Sequence, residues 1–66
     1  MIDIENTFPA ELRSARKAAG LTQQGVFDAL GIPRRSVQNW EAGINLPPEW
    51  AQRLILAELA RLAAND

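Results

Sequence analysis

The 66-residue chain has no cysteine, no histidine and no tyrosine. Without Cys there can be no disulfide, no thiolate metal site and no Cys nucleophile. Without His, imidazole ligands and the usual general base near neutral pH are gone too. Apolar runs last a few residues, well short of the ~20 needed to span a bilayer. The first residues, Met-Ile-Asp-Ile-Glu, are acidic and lack the basic-then-apolar pattern of a secretory signal. Low-complexity tracts and internal repeats are missing as well. No glycine-rich phosphate loop is present, and no two carboxylates make a convincing acid/base pair with a supporting pocket. The expectation is a cytoplasmic protein that is not an enzyme, does not enter membranes and uses no cofactor or metal.

What is present is a chain 47% apolar, too rich for disorder. Its length allows one small domain over residues 1–66. A domain of this size buries only roughly 60% of its surface on folding, so its core alone is marginal. With disulfides and metals excluded, the remaining support is a partner chain. The formal net charge of −1 speaks, taken whole, against a nucleic-acid ligand. Its distribution does not. Residues 12–40 hold Arg13, Arg16, Lys17, Arg34 and Arg35 against Asp28 alone, while the acids collect in residues 1–11 and 41–66.

Glycine and proline divide the chain into helical segments. Residues 1–7 form an arm in which Ile2 and Ile4 alternate with Asp3 and Glu5. It reads either as a frayed terminus or as a clasp lying on its own domain or on a partner. A first helix runs from about Phe8 or Pro9 to Ala19, with Leu12, Ala15 and Ala19 on one face and Gly20 as its stop. Thr22 is the N-cap candidate for a second helix over Gln23–Leu30, whose inward face is Val26, Phe27 and Leu30. Gly31 ends it. A third begins at about Pro33, runs to Glu41 or Ala42 and stops at Gly43, with Val37 and Trp40 inward. After the linker Ile44–Pro47, a long fourth helix covers residues 48–64. Its apolar residues crowd three sides instead of forming one stripe, so part of that surface is expected to bury against another chain. Trp50, on one of those sides, is either core or partner contact. The fold class is all-α: a compact bundle of four helices, with room for a fifth.

Residues 22–42 carry the functional pattern. An apolar-faced helix, a glycine turn and a second helix with a polar outer face make a helix-turn-helix, whose second helix enters the DNA major groove with its N-terminal residues leading. Arg34 and Arg35 stand in that leading turn. Arg offers a planar fork matching guanine O6 and N7, and Gln38 and Asn39, one turn on, can match adenine N6 and N7.

Over about Leu12–Leu56 the sequence resembles the Cro/C1-type (XRE-type) regulators, with a fold like that of lambda repressor. The residues carrying this are Leu12-Arg13, Arg16, Gly20-Leu21-Thr22-Gln23, Leu30-Gly31-Ile32, Ser36-Val37, Trp40-Glu41 and Gly43. Gln38-Asn39-Trp40-Glu41-Ala42-Gly43 followed by Leu46-Pro47 is most similar to short phage-borne, anti-CRISPR-associated and antitoxin-type members. The resemblance implies that Thr22 and Gln23 hold a backbone phosphate, that Arg34, Arg35, Gln38 and Asn39 face DNA, and that Ser36 touches phosphate. It also implies a buried ion pair between Arg16 and Glu41. Three positions depart from the family. Phe27 stands where Ala is usual, Pro33 replaces the customary Ser cap, and Ile44-Asn45-Leu46 replaces a basic stretch.

Together these readings predict a sequence-specific double-stranded-DNA-binding regulator. It would be a repressor of its own operon, acting as a homodimer on an inverted repeat. The expected dimer interface is Ile44, Ile55, Leu56, Leu59 and Leu62. The alternative is an antitoxin or adaptor module whose main role is to bind a partner protein.

Overall fold

A computed structural model describes residues 7–64. They form α1 (Phe8–Ala18), α2 (Gln23–Leu30), α3 (Arg34–Glu41) and α4 (Glu49–Ala64), with no strand among the described residues. The fold is thus all-α with four helices and a long C-terminal one. The arm over residues 1–6 lies outside the described residues.

Local chemistry sets the boundaries. The Thr22 hydroxyl accepts a hydrogen bond from the Gly25 N–H at 2.9 Å, capping α2. At the far end of α3, Gly43 sits at φ 81°, where a Cβ would be strained. The Ile44 N–H reaches the Asn39 carbonyl at 2.7 Å and the Gly43 N–H reaches that of Trp40 at 3.1 Å, a Schellman closure. Between α2 and α3, Gly31 takes φ 78° and its N–H bonds the Phe27 carbonyl at 2.8 Å, so the chain reverses at once. Pro33 then serves as N-cap of α3 without a side-chain hydrogen bond. The helix starts at Arg34, one residue later than the sequence suggested.

The core consists of Phe8, Leu12, Val26, Val37 and Leu59, each at most 1% exposed. Every helix contributes to it. α1 packs against both α3 and α4, and α3 also packs against α2, so α1 and α3 are the central pair. Phe8 and Trp40 meet as tilted rings with centroids 6.2 Å apart. The eight-residue α2 is too short to persist alone and is held by this packing.

Two sequence expectations about burial are corrected, and one open alternative is narrowed. Leu59, expected at a dimer interface, is completely buried in the chain's own core and has no surface to offer a second chain. Phe27, expected inward, is 46% exposed: Val26 beside it already fills the narrow contact of α2 with the core. Trp50 is 67% exposed and Leu54 63% exposed, so Trp50 is not core. Trp50 precedes Leu59 by about two and a half helical turns, which puts it on the opposite face of α4.

Candidate nucleic-acid interface

α3 carries two faces and two different ends. Val37 is buried and Trp40 packs against the core, which turns Arg34, Arg35 and Gln38 outward. Ser36 and Asn39 are partly covered. In the first turn, the guanidinium groups of Arg34 and Arg35 are exposed and pair with no acid among the described residues. Pro33 supplies no capping side chain, so the N–H groups of Arg34 and Arg35 at the start of α3 have no side-chain cap. Free backbone donors, the helix dipole and two guanidinium groups therefore put positive potential at one spot.

The other end of α3 is locked. The Glu41 side chain is 5% exposed and that of Arg16 is 12% exposed. Arg16 Nε donates to Glu41 Oε2 at 2.7 Å and Arg16 Nη2 to Oε1 at 3.1 Å, a bidentate pair joining α1 to α3. Arg16 Nη1 also donates to the Leu21 carbonyl at 3.1 Å. Arg13 places Nε 3.8 Å from Glu41 Oε1 and donates through Nη2 to the Glu41 backbone carbonyl at 3.2 Å. Burial alone would raise the Glu41 pKa. The hydrogen bonds from Arg16 and Gln23, with the charges of Arg16 and Arg13, outweigh it and hold the carboxyl below its ordinary value.

Residues 12–57 match the helix-turn-helix family model, well over half of the chain. The chain belongs to this family. Its Cro/C1-type membership makes it a DNA-binding transcription regulator, with α2 and α3 as its helix-turn-helix. No curated protein and no solved structure gives a match.

Within this helix-turn-helix protein the expected site residues divide. Arg34, Arg35 and Gln38 stand together in the open, with Ser36 and Asn39 at their margin. Thr22 and Gln23 each make a hydrogen bond within the chain: the exposed Thr22 hydroxyl accepts from the Gly25 N–H, and the partly covered Gln23 donates through Nε2 to Glu41 Oε1 at 3.2 Å. Arg13 was not among the expected site residues. Its place could be read from the sequence, since it lies three residues before Arg16 and so on the same face of α1. Of the residues expected to meet a second chain, Ile44 is exposed, and Ile55, Leu56 and Leu62 are partly covered. No described helix is long and apolar enough to cross a membrane.

Proposed function

We propose that this regulator is a repressor that binds an inverted-repeat operator as a homodimer, with Arg34, Arg35, Gln38 and Asn39 of α3 reading bases. The observation that carries the base-reading assignment is the unpaired state of Arg34 and Arg35. Arg13, Arg16, Arg53 and Arg61 are each committed to a carboxylate of this chain, so among the described residues the free guanidinium groups stand only on the leading turn of α3. The same reading gives Ser36, partly covered at the edge of that turn, the backbone phosphate as its contact.

Two features support the dimer. Among the described residues the core has five fully buried apolar side chains, few for a free-standing domain. Ile44, Trp50 and Leu54 are large apolar residues left in solvent. The interface proposed is therefore the outer face of α4 with Ile44, flanked by Ile55, Leu56 and Leu62. Two-fold-related α3 helices would read half-sites about one turn of duplex, roughly 34 Å, apart. Repression follows from occupying promoter DNA, and the resemblance to short phage-borne and antitoxin-type members favours control of the protein's own operon.

The same exposed Trp50–Leu54 face also favours a second reading, a module that grips a partner protein. Selection of bound sequences from random DNA tests the first reading: it should return a palindromic site. Enrichment of no sequence, together with a monomeric mass by ultracentrifugation at micromolar concentration, would leave the partner-binding reading in its place.

A further inference from the structure

The geometry points to Gln23 as a positioning residue: its side-chain amide, bonded to the Glu41 carboxylate, fixes α3 against α2. The Gln23–Glu41 bond, at 3.2 Å, is the one side-chain hydrogen bond between α2 and α3 among the described residues. The other polar links to Glu41 come from α1, through Arg13 and Arg16. Without Gln23 the carboxylate stays tied to α1, and α2 is held to α3 by apolar contact alone, with Val26 and Val37 at its centre. Apolar contact is non-directional and tolerates sliding, whereas a hydrogen bond to a charged acceptor is short and oriented.

Gln23 is the first residue of α2 and Glu41 the last of α3, so this bond closes the helix-turn-helix at the end away from its Gly31–Pro33 turn. A link at that end has the longest lever on the angle between the two helices. The charged groups facing Glu41 are Arg13 and Arg16 of α1. The acids and bases of α4 pair along their own helix, Glu49 with Arg53 and Glu58 with Arg61. The effect on DNA reading rests on the assignment of α3 as the base-reading helix; the effect on the free protein does not.

The test is Gln23→Met, which keeps the side-chain length and helix propensity and removes the donor. In the DNA-free protein, the Glu41 carboxyl carbon is followed by NMR through an acid titration. It should titrate at higher pH than in the wild type, and the melting temperature at pH 7 should fall by about 4–8 °C, as expected for one lost hydrogen bond in a domain of this size. With DNA, the ratio of operator to unrelated-sequence affinity should narrow about fivefold, because a tilted α3 misplaces its base contacts. A wild-type titration and melting temperature, with binding weakened equally on all sequences, would overturn the proposal and make Gln23 a phosphate contact. Wild-type behaviour in every measurement overturns it as well. A shifted Glu41 titration in a chain that selects no DNA supports the link and removes the base-reading assignment instead. Should Gln23→Met aggregate, Gln23→Ala gives the same comparison.

Discussion

The two ends of α3 lie about 12 Å apart along one eight-residue helix and do opposite things with charge. At the C-terminal end, Glu41 is buried and surrounded by donors from two other helices. At the N-terminal end, Arg34 and Arg35 have no partner in the described chain. A cation held by a carboxylate of its own chain is unavailable to DNA, and a free one costs the fold nothing when removed. The contrast teaches that in so small a protein holding the helix and reading DNA are separated along its length. It also says that the chain's formal charge is a poor guide to its ligand, since the pairing pattern decides which cations are on offer.

The strongest way to break the comparison is at the locked end. Glu41→Gln leaves Arg16 with a neutral partner in a mostly buried site, and removal of one member of such a pair costs about 3 kcal/mol. In a domain this small, that is a large part of total stability. Calorimetry or thermal melts should show a drop of more than 10 °C, at about 4–8 °C per kcal/mol. Operator binding should then fail through loss of the fold. A variant as stable as the wild type would mean that the lock is decorative.

At the free end the effect should fall on DNA alone. Arg34→Ala and Arg35→Ala should each weaken operator binding by about 1–3 kcal/mol and relax specificity at one base position. Their melting temperatures should stay within about 0.5 kcal/mol of stability of the wild type, since neither side chain touches the core. Unchanged affinity in both variants removes base reading from this turn. A loss of stability in either would erase the contrast between the two ends.

Much of this was legible beforehand, for identifiable reasons. Gly31 and Gly43 occupy left-handed positions that end helices, and Thr22 is a capping residue, so the boundaries of α2 and the end of α3 could be read within a residue. Val37 and Trp40, three apart among polar neighbours, have one consistent inward face, and α3 turned as that face requires. α4 did not yield to the same reasoning. Its apolar residues surround the helix, so periodicity does not choose the core side, and Leu59, expected at an interface, lies at the centre. Phe27 failed for a related reason. Two adjacent apolar residues, Val26 and Phe27, compete for one narrow contact, and the smaller one won it. Gln23 was invisible because an amide at a helix start looks the same whether it awaits a phosphate or already holds a carboxylate.

Acid sharpens the comparison further. The Glu41 pKa in the fold lies below its ordinary value, so the stability it contributes is fully present above the ordinary carboxylate range. That contribution is lost as pH falls through the lowered value. Melting temperatures measured from pH 7 to pH 3 should therefore hold until about pH 4–5 and then fall. In Glu41→Gln this component of the acid loss should be absent. Arg34 and Arg35 pair with no carboxylate among the described residues, so their alanine variants should follow the wild-type curve. A Glu41→Gln protein that loses stability in acid as steeply as the wild type would place the sensitive carboxylate elsewhere.

The smallest expected effect is on salt dependence, and it tests the free end from the side of the ligand. Arg13 and Arg16 are tied to Glu41, which leaves Lys17, Arg34 and Arg35 as the cations of residues 12–40 able to displace counterions from DNA. Each phosphate neutralised contributes about −0.9 to the slope of log affinity against log salt. With three cations in each of two subunits, and some of them turned to bases, the slope should lie well short of the about −9 given by ten phosphate contacts. Titrations of operator binding at several salt concentrations measure it directly. Arg34→Ala should flatten it by about one if that guanidinium rests on a phosphate, and leave it nearly unchanged if it reads a guanine. A slope as steep as that of a strongly basic domain would mean that Arg13 and Arg16 leave Glu41 when DNA arrives. The locked end of α3 would then be a switch that the duplex opens.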